Sequence, residues 1–211
     1  MKITIIYDNT TRDRRLAADW GFACLVEAAG RRILFDTGAN GNILMINMKY
    51  LNIRPADITD VFISHDHWDH TGGLQAFAAV GQATCFVPEP FRQTEKLPMV
   101  RIGEAPREIY DHLWSTGTLA NIEQSLVIKD NDRAVVVAGC SHPGVEAILA
   151  AAATIGRPEA LIGGLHGFDN YDALNGLKLV CPTHCTQHAA EIRRRHPAIY
   201  AEGGAGGVFE I

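Results

Sequence analysis

Six consecutive residues, His65-Asp66-His67-Trp68-Asp69-His70, bring three imidazoles and two carboxylates together one residue after the apolar run Val61-Phe62-Ile63. Imidazole with carboxylate is a donor set for Zn²⁺, with Mn²⁺ or Fe as alternatives. His65 and His67 lie two apart, so an extended backbone turns both rings to one side, whereas Asp69 and His70 follow a bend and face a second centre. Two divalent cations are the expected occupancy. At ~3.5–4 Å apart, such a pair shares a hydroxide that serves as a nucleophile. A merely polar turn has no need of so many metal-capable side chains.

The segments that must position these residues point the same way. Short β-branched runs predict strands at residues 3–7, 22–27, 32–35, 60–64, 84–87, 125–129, 134–138, 160–163, 178–181 and 207–211. Helices are expected at 43–51, 73–79, 143–155 and 188–196, the third with Pro143 at its first position and Ser141 or His142 as cap. Residues 88–114, with prolines and mixed charges, read as a long irregular connection of the kind that often forms a lid. Strand clusters followed by helices, twice over, predict an α/β fold in which two sheets are covered by outer helices, an αββα sandwich. Five of the apolar runs end on a polar residue: Asp36, His65, His142, His166 and His184. Sheets with helices on their faces gather ligands at the carboxyl ends of their strands. These residues are therefore expected to form one site.

Composition sets outer bounds. The 211 residues, 47% of them hydrophobic, suffice for one domain spanning residues 1–211. A net charge of −5 gives no basic surface for a phosphate backbone, so no nucleic-acid partner is expected. No apolar run approaches the ~20 residues that cross a bilayer, and five scattered cysteines fit reduced thiols. The expectation is a cytoplasmic protein with a small-molecule substrate and no membrane partner. Nothing in the sequence sets its oligomeric state.

The motifs carry a resemblance along nearly the whole chain. Leu34-Phe35-Asp36-Thr37-Gly38, the histidine-rich segment, Gly139-Cys140-Ser141-His142-Pro143-Gly144 and Pro182-Thr183-His184-Cys185-Thr186 resemble the metallo-β-lactamase superfamily. More narrowly, with Asp8-Asn9-Thr10-Thr11 and Glu123-Gln124-Ser125-Leu126, they are similar to its metal-dependent hydrolase branch, which includes an archaeal pterin-pathway synthase. The resemblance implies the αββα fold and a dinuclear site. It assigns His65, His67 and His142 to the first metal and Asp69, His70 and His184 to the second, with Asp36 tying its turn to the metal loop. One departure is His166, which stands where many relatives have a bridging aspartate. An imidazole cannot bridge two ions as a carboxylate does. His166 is then free to ligate one metal or to orient a substrate phosphate.

The function expected is metal-dependent hydrolysis of a small anionic or phosphorylated substrate, with Asp69 positioning the hydroxide and accepting its proton. Three alternatives stay open: a pterin-diphosphate-dependent synthase, an iron-dependent redox enzyme, and a metal-binding module without catalysis. Further candidates are Asp8, Asn9, Arg12, Arg14 and Arg15 for an anion, and Trp68, Tyr110 and Trp114 for stacking on a flat ring, although a solvated loop and simple packing are the blander readings. Cys140 and Cys185 each flank an expected ligand; a thiolate would suit Zn²⁺, but a small packing residue is the favoured reading for both.

Overall fold

A computed structural model describes residues 1–93 and 96–211. The first half builds a seven-stranded mixed sheet from β1 (Lys2–Tyr7), β2 (Ala23–Ala28), β3 (Arg31–Phe35), β4 (Asp60–Phe62), β5 (Thr84–Pro88) and β6 (Met99–Ile102), with β13 (Val208–Glu210) added at one edge. The second half builds a six-stranded sheet from β7 (Arg107–Tyr110), β8 (Leu113–Ser115), β9 (Leu126–Asp130), β10 (Arg133–Ala138), β11 (Arg157–Gly164) and β12 (Leu179–Thr183). Helices α1 (Gly41–Tyr50), α2 (Trp68–Thr71) and α3 (Leu74–Ala78) belong to the first half, and α4 (Val145–Ala153) and α5 (Ala189–Arg195) to the second.

Alternation along the strands explains the layering. In β2 and β3, Cys24, Val26, Ile33 and Phe35 point between the sheets, where they meet Leu126, Ile128, Val135, Val137 and Ile162. Their neighbours Leu25 and Leu34 point outward beneath Leu44, Met48, Leu74 and Phe77 of the helices. On the other side, Val136 and Leu161 lie under Val145, Ile148, Ala152 and Ile192. Both faces of each sheet are covered, which is why the strands are apolar at nearly every position. The αββα sandwich expected from the sequence is the observed arrangement.

Strand direction decides where the site falls. β3 runs parallel to β4, and β10, β11 and β12 run parallel to one another, so the five strands ending before Asp36, His65, His142, His166 and His184 share one edge of the sandwich. Asp36, Ser141, His166 and His184 all adopt positive φ, between 45° and 62°. Such a backbone is unfavourable for residues with a side chain and persists only where the surroundings over-determine it. Gly139 makes the convergence of the sheets possible, since a Cβ there would fall 2.2 Å from Ser64 Oγ.

Two expectations are corrected. Residues 88–114 are not an irregular lid: they contain β6, β7 and the start of β8, with Thr94 and Glu95 outside the described residues. β6 and β7 are edge strands, and their charged residues, such as Arg101, Arg107 and Glu108, are what an unpaired edge tolerates. The helix predicted from Pro143 begins at Val145 instead. Its N-cap is Gly144, at φ 96°, a left-handed turn that takes Pro143, Ser141 and His142 out of the helix.

Candidate metal centre

Side-chain hydrogen bonds fix the histidines in one useful tautomer. His184 Nδ1 lies 3.0 Å from Asn9 Oδ1, an oxygen that also accepts from Gly21 N, so the ring must donate through Nδ1. His70 Nδ1 donates in the same way to Asp36 Oδ2 at 2.7 Å. Ser64 Oγ spends its proton on Asp36 Oδ2 at 2.7 Å, which leaves it to accept from His65 Nδ1 at 2.9 Å. In all three rings the Nε2 lone pair is thereby presented to the interior, the form a metal requires.

Those lone pairs converge. Nε2 of His65, His142 and His184 are buried atoms with no hydrogen-bond partner. An unpaired buried polar atom costs roughly 1–3 kcal/mol, so three together mark a place where a cation fits. The rings of His65, His67 and His142 are 4.5–4.8 Å apart, centroid to centroid. On the other side, the rings of His70 and His184 are 5.0 Å apart, and His184 Nε2 stands 3.2 Å from Asp69 Oδ2 without hydrogen-bond alignment. The six residues expected to share two metals are thus brought to one strand edge. His166 stands at the rim, exposed, with its ring 5.2 Å from that of His142.

The structure gives Cys140 a place in the site and adds two residues that spacing did not reveal. Cys140 Sγ is 3.1 Å from His70 Nε2, and its donor atom groups with those of His65 and His142 as well as with those of His70 and His184. Trp20 Nε1 donates to Asp69 Oδ2 at 2.8 Å, and its ring packs edge-on against His184. Glu123, fully buried, accepts from the backbone N–H groups of Gly139, Cys140, Ser141 and His142 at 2.9–3.1 Å. Trp20 and Glu123 lie far in sequence from the ligands they support, so local spacing carries no signal for them.

Other candidates are placed elsewhere. Asp8 does not face a substrate: it accepts from Asn9 N, His184 N and Gly204 N, and so pins the β12 turn. Arg15 is paired with Asp13, and Arg12 donates to the Glu202 carbonyl, as in a solvated loop. Tyr110 bonds Asp60 beneath Arg31, and Trp114 packs against the outer layer of the second sheet. Trp68 remains 64% exposed beside His67. A cleft of about 340 Å³ borders the site, lined by His65, Asp66, His67, Arg92 and Asn121 among others.

Electrostatics follow from this crowding. Burial, then the neighbouring imidazoles, push His65 well below the usual histidine range and His142 down to about 4. Burial also lowers His184, partly opposed by Asp69. His70 is the exception. Burial lowers it too, but the charge and hydrogen bond of Asp36 outweigh that and raise it. Asp69 is penalised by burial, yet His184, His70 and Trp20 hold it well below the usual carboxylate range.

These shifts carry a sign. A histidine whose folded pKa lies below its unfolded value of about 6.5 favours the fold above that pH and loses the contribution as pH falls toward the folded value. For His65, His142 and His184 the loss begins near pH 6.5 and, for His142, is complete below about 4. His70 does not share the loss: its raised pKa gives a stabilisation that is complete below about pH 6.5 and is lost only as pH rises above that value. The buried carboxyls of Asp8 and Glu123, raised by burial, oppose the three histidines as pH falls, and with three groups against two the melting temperature of metal-free protein is expected to fall between pH 6.5 and 4. A melting temperature constant over that range contradicts the assignment of neutral rings.

With fold and geometry established, comparison with known proteins shows what the chain is similar to. Residues 21–92 match the family model of the metallo-beta-lactamase superfamily. That match covers about a third of the chain, and the chain as a whole shares the fold of solved structures of that superfamily. It is 27% identical, over 81% of its length and 81% of the relative's, to 7,8-dihydropterin-6-methyl-4-(beta-D-ribofuranosyl)-aminobenzene-5'-phosphate synthase of Methanocaldococcus jannaschii. The crystal structure of a metal-dependent hydrolase of the beta-lactamase superfamily superposes with a TM-score of 0.84 at 24% identity, covering 100% of this chain and 99% of the other. Zn²⁺-bound PqqB from Methylobacterium extorquens superposes with a TM-score of 0.65 at 13% identity, covering 100% of both chains.

Proposed function

We propose that this protein is a metal-dependent hydrolase acting on small anionic or phosphorylated substrates. The observation that carries the reading is the set of imidazoles locked with Nε2 inward by Asn9, Asp36 and Ser64. His65, His67 and His142 hold one cation and Asp69, His70 and His184 a second, with Zn²⁺ favoured and Mn²⁺ or Fe as alternatives. When bound, such cations supply Lewis acidity, which makes water nucleophilic near neutral pH and stabilises negative charge.

The chain's own residues do the rest. Trp20 fixes Asp69 through Oδ2, and Asp69 orients the attacking water and takes its proton. Exposed Arg92 in the bordering cleft binds the substrate's anionic group, and His166 at the rim orients a phosphate oxygen. A cytoplasmic location is in keeping with Cys24, Cys140, Cys181 and Cys185, which form no disulfide.

Reconstituted protein is expected to bind two ions per chain and to turn over a member of a panel of phosphoesters, lactones and pterin diphosphates. Elemental analysis giving one ion or fewer with Zn²⁺ or Mn²⁺ in excess overturns the two-centre reading. Arg92→Ala is expected to raise KM about tenfold with kcat little changed, the signature of lost ground-state binding. An unchanged KM removes Arg92 from the substrate site.

The similarity to the synthase supports a second reading, in which the same residues hold a diphosphate leaving group and an aromatic nucleophile replaces water. Product analysis decides between them. Dihydropterin-methyl diphosphate incubated with and without ribofuranosylaminobenzene phosphate gives a condensed product in one case and only hydrolysis in the other.

A further inference from the structure

We propose that Cys140 Sγ is a ligand common to both cation centres, a thiolate bridge between the side of His65 and His142 and the side of His70 and His184. The inference rests on the metal-dependent reading above and adds a donor to it. Its first support is position: Cys140 Sγ belongs to both donor groups, within which all ligand atoms lie no more than 4.8 Å apart, and it is 3.1 Å from His70 Nε2. No other residue occurs in both groups.

The second support is what surrounds it. Cys24 and Cys181 are packed in the apolar layer between the sheets, whereas Cys140, only 3% exposed, belongs to none of the three apolar clusters. Its neighbours are imidazoles, backbone and the thiol of Cys185. A thiol kept merely as a small apolar filler has no reason to sit there. Because His70 Nδ1 donates to Asp36, the Cys140 S–H is the donor to the His70 Nε2 lone pair. A cation arriving between them displaces that single proton to solvent and leaves sulfur as the ligand.

The third support is charge. Two divalent cations need anionic donors, and most buried carboxylates nearby are committed elsewhere. Asp36 accepts from Ser64 N, Ser64 Oγ and His70 Nδ1. Glu123 accepts from four backbone N–H groups, and Asp8 from three. Among the described residues, neither donor group contains a carboxylate. Asp69 serves the His184 side, and a Cys140 thiolate supplies negative charge to both. Sulfur also biases the pair toward Zn²⁺ over harder ions such as Mn²⁺.

Cobalt reports sulfur ligation directly. Metal-free full-length protein is titrated with Co²⁺ under anaerobic conditions, and the near-ultraviolet sulfur-to-cobalt charge-transfer band is followed alongside bound cobalt. The expected result is a band that changes through both the first and the second equivalent, is lost in Cys140→Ser and persists in Cys185→Ala. Two bound cobalt ions in the unmodified protein with no such band overturn the thiolate ligand while leaving the hydrolase reading intact. A band complete after one equivalent overturns the bridge, and a band lost with Cys185 instead of Cys140 overturns the assignment. Failure to bind cobalt at all overturns both the bridge and the metal-dependent reading. The unmodified protein decides most of these outcomes without reference to whether a variant folds.

Discussion

Glu123→Ala is expected to lower stability by roughly 3–5 kcal/mol, the cost of stripping a buried charged group from its partners. The carboxylate lies at the centre of the turn that follows β10, where four consecutive N–H groups from Gly139 to His142 point at its two oxygens. Alanine leaves all four donors unpaired in a region closed to water. Burial raises the Glu123 pKa, so some desolvation cost is recovered on removal, but the orphaned backbone outweighs it. For a chain of this size 1 kcal/mol moves the melting temperature by roughly 2–4 °C, so a fall of about 10 °C is expected. Glu123→Gln should lie between, since its amide oxygen still accepts while its NH₂ group faces further donors. Because the same turn carries Cys140 and His142, Glu123→Ala should also retain less metal after dialysis. Thermal melts within about 2 °C of the unmodified protein would show that water replaces the carboxylate and that the turn does not depend on it.

Asp69→Asn is expected to reduce kcat by about 10²–10⁴-fold, the usual range for removing a positioned acid–base group. The substitution preserves volume and retains an oxygen that can accept from Trp20 Nε1, so the fold should be undisturbed. What disappears is negative charge beside His184 and the acceptor for the water's proton. KM should change little, because the proposed sites for the substrate's anionic group are Arg92 and His166. The second cation should also bind more weakly, while the centre at His65, His67 and His142 keeps its ion. Steady-state kinetics on the best substrate of the panel, with metal content measured on the same sample, separate the two effects. A kcat within threefold of the unmodified enzyme, at full metal occupancy, would remove Asp69 from the reaction.

Much of this arrangement is written locally in the chain. Each of the ten predicted strands coincides with an observed one, because strands covered on both faces are read as uninterrupted apolar runs. The His65–His70 segment, His142 and His184 stand out because each follows such a run directly. What local pattern could not supply is whatever depends on contact across the sandwich. Glu123, in the Glu123-Gln124-Ser125-Leu126 motif, looks like an ordinary polar residue ahead of β9 until β10 is placed beside it. Trp20 lies in a loop without regular structure and meets Asp69 only after both turns have formed. Cys140 reads as a small residue beside a ligand, since only the fold places its sulfur between histidines from both halves of the chain. β6, β7 and β8 escape detection because each is only three or four residues long, and the first two lie at sheet edges where charged residues interrupt the apolar pattern.

The clamp that Asp8 and Asn9 place on His184 joins residues 175 and 176 apart along the chain. Closing so long a loop is entropically costly and comes late in folding, after local hairpins have formed. His65, His67 and His70, by contrast, sit within one six-residue segment and are in place as soon as that turn folds. On the metal-dependent reading proposed above, ion capture by this chain is therefore expected in two stages. A nascent first half can offer a loose, low-affinity imidazole cluster, but the fully oriented donor set exists only once the last third of the chain has docked against the first strand.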